Sequence, residues 1–381
     1  MTALSGLGTR PRVNQPGTAL WRRVDFSLVM VTLAVTGFGL VMVFSATRGN
    51  GTIANRSFLD RQMTFAFVGM ALMVAVMFFD YRRLRELVVP VYVATIVVLL
   101  AVPVLGVEIN GARAWFRFGP IQLQPSEFGK VVVVVALAAF LTIDRAEPGL
   151  RGVLVSLLIA GLPAAIIMLQ PDLGTVLIYV VFTAAIFVVA GVRPRHLLLL
   201  AMVVVLGTFV TLSAGVLDNY QSARLTAFVE TKSTKKNELV FEQQRNAQTA
   251  IGNGGLFGQG LFVGSQNRSR LVAEKQTDFI FTVVGEELGF VGAAVLIGLY
   301  AFMILRIWRI GSTAPDLFGT LICAGVLAML MFQTFESMGM TSGIMPITGI
   351  PLPFMSYGGS SILACFLGIG LVESVHMRRF A

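Results

Sequence analysis

Long apolar segments recur along the chain, and short polar segments separate them. About ten of the apolar segments reach roughly 18 residues with almost no charge, which is the length that a helix needs to cross a bilayer. The expected spans lie near residues 24–46, 62–79, 87–106, 128–143, 152–169, 173–191, 196–216, 279–306, 317–338 and 355–376. The pattern therefore predicts an all-α polytopic integral membrane protein.

One long polar stretch, residues 217–278, interrupts this pattern between the seventh and eighth spans. A loop of this length in a compact protein is usually functional or disordered. Its Thr/Ser/Lys run at 231–237 predicts a solvated tip. The glycines at 252–264 instead predict close packing of the backbone at the membrane surface.

The composition agrees with a membrane protein and argues against several kinds of catalytic and metal-binding site. Apolar residues make up 56% of the chain and charged residues 13%, whereas soluble domains average about 45–50% and about 25%. Two cysteines, both in apolar stretches, and two histidines at span ends nearly exclude His/Cys zinc sites, Ser-His-Asp triads and haem ligation. Chemistry is left to carboxylates, Lys and Arg side chains, and the backbone.

The positions of the basic residues predict the topology. About half of the 29 Lys and Arg residues fall in segments that share one side of the membrane with the N-terminus, and this side is expected to be cytoplasmic. Residues 1–23 then form a disordered cytoplasmic tail, 24–376 the transmembrane domain and 377–381 a cytoplasmic C-terminus. The large loop 217–278 is expected to be extracytoplasmic.

Charged residues near membrane depth are costly, so each is a candidate functional residue. Glu127 and Lys130 lie three residues apart in the QPSEFGK segment that opens the fourth span, on one face of a helix. An ion pair is expected. Either it is a structural pair that hides two charges, or it lines a polar cavity that holds a charged substrate.

Two aspartates stand at the starts of later spans. Asp172, in the segment QPDLGT, is expected to cap the following helix. Asp278 lies where the long loop joins the eighth span, beside Phe279 and Ile280. Partial desolvation there could raise its pKa toward that of a general base, although a helix cap would explain it as well. Glu287 is expected to support the fold or a cavity wall.

An uncharged segment at residues 346–361 leads into the last span and is rich in Pro, Gly and Ser. Irregular backbone of this kind is tolerated at membrane depth only where protein or water surrounds it. The segment therefore predicts a rigid cavity wall that offers N–H groups and hydroxyls, among them those of Ser356 and Ser360. Glu336, in the span before it, is expected to face a cavity or a partner subunit.

These motifs together resemble those of the SEDS (shape, elongation, division and sporulation) family of peptidoglycan glycosyltransferases. The resemblance covers about residues 24–376 and rests on the segments QPSEFGK, QPDLGT, AIGNGGLFGQG, KQTDFIFTVVGEELGFVG and TGIPLPFMSYGGSS. Within the family, Phe79-Asp80-Tyr81 and the run 348–354 resemble the elongation-type (RodA-type) members more than the division-type (FtsW-type) members.

The resemblance implies polymerisation of lipid II through β-1,4 bonds on the outer face of the cytoplasmic membrane, during cell elongation and cell shape maintenance. The catalytic aspartate of the family falls on Asp278. Its substrate-binding cavity falls on Glu127, Lys130, Arg113, Asp172 and the SYGGSS segment with Ser356 and Ser360. Two departures, Ser337 and Ala114, leave the contacts at those positions in doubt.

The implied chemistry needs only one proton acceptor, because the leaving diphosphate is already a weak base. Asp278 would take the proton from the 4-hydroxyl of the acceptor sugar, with inversion at the anomeric carbon. The diphosphate charge needs cations, for which the candidates are Lys130, Arg113, Arg224, Arg268, Arg270 and Lys275. A divalent cation (Mg²⁺ or Mn²⁺) that bridges the diphosphate and a carboxylate is equally compatible, and the sequence does not choose between the two.

Three other functions fit parts of the pattern. One is a purely structural scaffold for wall-synthesis partners, which would leave Asp278 free to vary. A division-type glycosyltransferase would share the chemistry and differ in its partner. A lipid II flippase or transporter would distribute ionisable groups along a midplane path, whereas here they gather near one face. The resemblance implies a class B penicillin-binding protein (a transpeptidase) bound through transmembrane contacts, and further elongation-complex proteins. No nucleic-acid partner is expected.

Overall fold

The computed structural model describes residues 20–48, 56–109, 112–119, 121–143, 148–213, 238–264 and 274–379. The helices are α1 (Phe26–Ala46), α2 (Arg56–Phe78), α3 (Leu84–Leu105), α4 (Pro125–Leu141), α5 (Leu150–Met168), α6 (Leu173–Val189), α7 (Pro194–Ser213), α8 (Glu238–Gly254), α9 (Ile280–Ser312), α10 (Leu317–Ser342) and α11 (Gly359–Met377). The strands are β1 (Val107–Ile109), β2 (Ala112–Phe118) and β3 (Ile121–Leu123), and two short 3-10 helices span Leu20–Arg23 and Tyr81–Arg83.

The helices have the lengths and composition of membrane spans. Within the described ranges, seven are long and apolar enough to cross a bilayer, namely α1, α2, α3, α5, α9, α10 and α11. α6 is a shorter apolar helix, as is the part Pro194–Gly207 of α7. The prediction of a polytopic helical membrane protein is confirmed. The figure of about ten spans and the domain limits at residues 23, 376, 217 and 278 remain predictions.

Polar contacts show which helix ends lie together. The Asp25 side chain, at the start of α1, pairs with Arg306 of α9, and its backbone N–H donates to Glu373 of α11 at 3.1 Å. Ser374 donates to the carbonyl of Phe79, just after α2, at 2.6 Å. We call this end of the bundle the terminal end, because both ends of the described chain lie there. The three strands mark the opposite end, which we call the strand end.

A small antiparallel sheet in the order β1-β2-β3 joins α3 to α4. It pairs Val107 with Trp115 at one edge and Phe118 with Ile121 at the other. The hydrophobic pattern predicts no strands between the third and fourth spans, so this sheet is an addition to the predicted fold. It matters because β3 leads directly into α4, and thus positions the first turn of that helix at the strand end.

The helix α9 is broken at Gly289, where the backbone turns to φ 65° and ψ −160°. A break frees carbonyls before it and N–H groups after it. Residues 255–260 pair with four of these groups. The Glu286 and Glu287 carbonyls accept from the Gln259 and Gly260 N–H groups, at 2.9 and 3.0 Å. In return the N–H groups of residues 290 and 291 donate to the carbonyls of residues 255 and 256, at 2.9 and 3.1 Å.

This pairing needs glycine because the two backbones nearly touch. A Cβ atom on Gly258 would lie 2.1 Å from the Glu287 carbonyl oxygen, and one on Gly254 would lie 1.9 Å from that of Gly285. Gly258 also has φ +78°, which side chains rarely allow. The close packing predicted for the glycine-rich segment is therefore present at these positions. Gly252, by contrast, has open space around it.

Candidate functional site

A cavity of about 660 Å³ lies at the strand end and is bounded by six parts of the chain. α2, the sheet, the start of α4, the start of α6, the turn before α9 and the segment before α11 all contribute to its wall. The polar and charged residues of that wall are Arg61, Gln122, Gln124, Glu127, Asp172, Thr175, Glu274, Gln276, Thr277, Asp278, Thr348, Tyr357, Ser360 and Ser361. Segments far apart in sequence thus meet at one polar space inside an apolar bundle.

Asp278 reaches the cavity from a tight turn at residues 274–279. The carbonyl of Glu274 accepts the N–H groups of Thr277, Asp278 and Phe279, at 3.1, 3.1 and 3.3 Å. Glu274 takes φ +48° to make this turn. The N-cap of α9 is Phe279, with no side-chain capping bond. Asp278 is therefore not the N-cap, so the helix-cap explanation of this residue is wrong.

Glu127 and Lys130 form the expected ion pair, with 2.8 Å between Lys130 Nζ and Glu127 Oε2. Their side chains are only 5% and 1% exposed. Glu127 contributes to the cavity wall, whereas Lys130 lies outside the wall and within the bundle. Lys130 thus neutralises a cavity carboxylate from inside the protein.

Asp172 both caps a helix and lines the cavity. Its carboxylate accepts from the backbone N–H and the hydroxyl of Thr175 at 2.9 and 2.7 Å, which is the expected N-cap of α6. It also accepts from Gln124 Nε2 at 3.0 Å. Burial raises the pKa of the Asp172 carboxyl, because it disfavours the charged form, while the bonds from Thr175 act in the opposite direction.

The segment before α11 provides a cavity wall, as predicted, but its two candidate serines differ. Ser360 lines the cavity, and its hydroxyl accepts from the Gln124 N–H at 2.8 Å. The Ser356 hydroxyl instead accepts from the Leu352 N–H at 2.8 Å, within its own loop, and Ser356 is absent from the wall. Tyr357 N–H donates to the carbonyl of Gln276 at 2.8 Å, so this segment is bonded to the turn that carries Asp278.

Several predicted cations do not line this cavity. Arg113 is half exposed, lies 3.9 Å from Glu108 and donates to the Pro103 carbonyl at 3.4 Å. Its neighbours Ala112 and Ala114 line the cavity, because alternate residues of a strand point to opposite faces. Lys275 is partly exposed and is not part of the wall. Arg224, Arg268 and Arg270 lie outside the described residues.

Other wall residues were not singled out from the sequence as site residues. Arg61 is the only basic residue among the described residues that line the cavity. Gln124 links Asp172 to Ser360, and Thr348 donates from the wall to buried Glu336 at 2.7 Å. Glu336 is fully buried, so it faces inward rather than a partner subunit. Uncharged polar residues carry little signal in a single sequence, although TGIPLPF did mark Thr348.

Glu287 supports the fold. Its carboxylate accepts from the Ser45 hydroxyl of α1 at 2.6 Å and from the Phe262 N–H at 3.1 Å. It therefore ties α1 and the glycine-rich segment to α9, which is the supporting role expected for it.

The carboxylates of the wall are dispersed. Glu127 lies in α4 and Asp172 at the start of α6. Glu274 and Asp278 lie at opposite ends of the turn before α9. Among the described residues, no three His, Cys, Asp or Glu side chains are grouped so as to hold a metal ion. A divalent cation in this cavity would therefore take most of its ligands from a bound phosphate and from water.

Comparison with known proteins places the chain among cell-wall enzymes. Residues 26–380 match the model of the FtsW/RodA/SpoVE family, described as cell cycle protein. A peptidoglycan glycosyltransferase RodA from Treponema pallidum is 31% identical, with 93% of this chain and 98% of the relative covered. A probable peptidoglycan glycosyltransferase FtsW from Geobacter metallireducens is 34% identical, with 93% and 95% covered.

A solved structure has the same fold. It is described as "Structural coordination of polymerization and crosslinking by a peptidoglycan synthase complex", and one of its chains is 33% identical to this one. The TM-score is 0.77, and the match covers 94% of this chain and 98% of the other. The polar cavity therefore lies in a fold that is shared with components of the cell-wall machinery.

Proposed function

Because the chain belongs to the FtsW/RodA/SpoVE family of cell cycle proteins, we propose that it polymerises lipid II into β-1,4 glycan strands, with Asp278 as general base. It is a peptidoglycan glycosyltransferase, like the RodA and FtsW relatives that cover nearly its whole length. The reaction takes place on the outer face of the cytoplasmic membrane, and it serves cell elongation and cell shape.

One observation carries the assignment of the site. Asp278, Glu127, Asp172 and Ser360, predicted from four separate motifs, line a single cavity at the strand end. A volume of 660 Å³ is within the usual range for ligand pockets of about 300–1,000 Å³. Its mixed wall of carboxylates, amides, hydroxyls and aromatic rings suits sugars.

Asp278 acts as the base because it is half-buried, borders the apolar Phe279 and Ile280, and is not used as the helix cap. It accepts the proton of the acceptor 4-hydroxyl while that oxygen attacks the anomeric carbon. The bond to the diphosphate breaks and the diphosphate leaves as an anion, so no acid is needed. Arg61 provides positive charge at the cavity wall for that anion.

The test is polymerisation of lipid II by the purified protein in liposomes. Asp278→Asn and Asp278→Ala are expected to lower the rate by about 10²–10⁴-fold, the usual contribution of a general base. Glu242→Gln is the matched control, because Glu242 is an exposed carboxylate of α8 that does not line the cavity. Equal polymerisation by all variants would exclude Asp278 as the base.

A division role is the second candidate, favoured by the 34% identity to an FtsW, which is close to the 31% identity to a RodA. Overall similarity does not separate the two. The elongation role rests on residues 79–81 and 348–354. Expression in rod-shaped cells depleted of their elongation enzyme should restore the rod shape, whereas rescue of septation alone would assign the division role.

A flippase would move lipid II between leaflets, a different class of function. The cavity opposes it, because the polar wall lies at one end of the bundle rather than along a midplane path. Fluorescent lipid II in the inner leaflet of proteoliposomes is expected to stay there. Rapid transfer that Asp278→Asn leaves unchanged would favour the flippase.

The proposed partner is a class B penicillin-binding protein, joined by further elongation-complex proteins. A similar structure is described as a peptidoglycan synthase complex that coordinates polymerization and crosslinking. The exposed faces of α9 and α10 suit a partner helix, and Phe335 and Met331 of α10 are about half exposed. Phe335→Arg should reduce copurification, while Leu158→Arg on the exposed face of α5 should not.

A further inference from the structure

Gln62 of α2 lies beneath the cavity wall and uses both ends of its side-chain amide. Its Nε2 donates to the carbonyl of Ser356 at 3.0 Å, and its Oε1 accepts from the N–H of Gly358 at 3.3 Å. Only 1% of the residue is exposed. The amide therefore holds the two peptide groups on either side of Tyr357, which belong to the segment that leads into α11.

The same segment is bonded directly to the turn that carries Asp278. The N–H of Tyr357 donates to the carbonyl of Gln276 at 2.8 Å, and Gln276 is two residues before Asp278. The Tyr357 ring also packs edge-on against Phe58, with 5.0 Å between ring centroids. Phe58 is one helical turn before Gln62, so α2 holds residue 357 by its ring and by both flanking peptides.

These contacts form a short chain from α2 to the cavity carboxylate. We propose that Gln62 is a positioning residue for Asp278, acting through the 356–358 segment and the 274–279 turn. This inference rests on the proposed function, since it assigns Gln62 a role in placing the base. Gln62 does not line the described cavity, so its effect on Asp278 would pass through these bonds.

The geometry explains why glutamine is needed. The position requires one donor and one acceptor at the end of a side chain that is long enough to span two peptide groups. A glutamate could accept from Gly358, but as a carboxylate it would repel the Ser356 carbonyl. Leucine has a similar volume and makes neither bond, so two buried backbone groups would lose their partner.

The experiment compares Gln62→Leu and Gln62→Glu with the wild type. Gln333→Leu is the matched control, because Gln333 is also a buried amide of a membrane helix and makes no hydrogen bond among the described residues. We expect kcat for lipid II polymerisation to fall about 10- to 100-fold in both Gln62 variants, with KM changed less than 3-fold, because a misplaced group slows the reacting step. The control should keep the wild-type kcat.

A second measurement does not depend on activity. Hydrogen exchange of the amides at residues 276–278 and 357–358 should accelerate in both Gln62 variants and not in Gln333→Leu. If Gln62→Leu fails to fold, Gln62→Asn, which is one methylene too short to bridge both groups, replaces it.

The outcomes separate this inference from the proposed function. Unchanged exchange, or faster exchange with an unchanged kcat, would overturn the positioning role. Full activity of Asp278→Asn would overturn the proposed base instead, whatever the exchange at residues 276–278 shows. A fall in kcat with faster exchange at the Asp278 turn supports the positioning role.

Discussion

The side chain of Lys130 is buried completely, and its Nζ has the Glu127 carboxylate as its partner at 2.8 Å. Two roles were predicted for this pair, hiding charge and lining a cavity. Glu127 lines the cavity, and Lys130 neutralises its charge. Glu127 is at the wall and Lys130 is behind it. Removal of Lys130 would leave a carboxylate in the bundle without its counter-charge.

We therefore predict that Lys130→Met destabilises the protein by about 3–5 kcal/mol, the usual cost of breaking a buried pair from one side. The double variant Glu127→Gln/Lys130→Met should regain most of that stability, since no charge is left unpaired. Thermal unfolding in one detergent measures both. Lys130→Met that is inactive yet as stable as the wild type would instead indicate direct substrate binding.

Asp172 offers a prediction about pH. Its raised pKa means that the folded protein keeps this proton at pH values where the unfolded chain has lost it. The corresponding stability is complete below the ordinary aspartate pKa of about 3.9 and is lost as pH rises through the higher folded value. Unfolding temperatures should therefore fall more steeply over this window in the wild type than in Asp172→Asn. Parallel curves would contradict the shift.

The site could be predicted from sequence where charge marked a residue. Asp278, Glu127 and Asp172 were recognisable because a carboxylate at a span boundary is costly and therefore rare. Gln62 and Gln124 were not, since an uncharged amide in an apolar segment has no such signal. Arg113 was predicted at the cavity, but its direction depends on the register of β2, which the hydrophobic pattern did not reveal.

At the scale of elements, α9 is the least regular of the long helices. Its 33 residues would extend about 50 Å, well beyond the hydrocarbon core of about 30 Å. The break at Gly289 leaves 290–312 as the part that is long enough to span the bilayer. The nine residues before it belong to the cavity end, and the 255–260 segment pairs four of the backbone groups that the break releases.

Gly258→Ala tests this junction. A methyl group there would meet the Glu287 carbonyl at 2.1 Å in a backbone conformation of φ +78°, so we expect a loss of about 2 kcal/mol or more. Gly252→Ala is the control, since it lies in α8 with open space around it. It should be neutral or slightly stabilising. Equal unfolding temperatures for the two variants would argue against the close packing.

The positions of the helices were easier to predict from sequence where the apolar segment was long. Most of the long helices were expected within a few residues, although α2 begins at Arg56 rather than near residue 62 and α9 continues to Ser312 rather than ending near residue 306. The sheet at 107–123 was missed because two of its three strands have only three residues, which show too little alternation to detect. The glycines at 252–264 predicted tight packing, but only the three-dimensional structure shows that some of them pack against the backbone of α9.

At the scale of the whole molecule, the basic residues that predict the topology also make hydrogen bonds and ion pairs within the protein. Arg378 donates to the carbonyls of Met77 and Phe78, which end α2, at 3.1 and 2.7 Å. Arg306 pairs with Asp25, and Arg82 with Asp316 at 3.3 Å. Charge counting predicted the side of the membrane for these residues, but it carried no information on their contacts. The terminal end is thus held by ion pairs and capping bonds between helices.

Orientation is tested by two single cysteine substitutions at exposed sites on opposite ends, Thr249→Cys in α8 and Ser312→Cys at the end of α9. The native Cys323 and Cys365 are buried and can stay in place. In spheroplasts, a membrane-impermeant maleimide should label residue 249, and residue 312 only after permeabilisation. The reverse pattern would place the cavity on the cytoplasmic side.

The break in α9 has a consequence for biosynthesis. A chain is made from its N-terminus, so residues 255–260 leave the ribosome before residues 286–291, whose backbone they complete. Residues 255–260 are therefore already synthesised when α9 inserts. They can bond to it at once, provided that the preceding loop has crossed the membrane by then. Delayed translocation of that loop would leave the groups around Gly289 unpaired at the edge of the bilayer, where each one costs several kcal/mol. If the loop is extracytoplasmic as predicted, the order in which the ribosome delivers these segments would therefore affect how α9 folds.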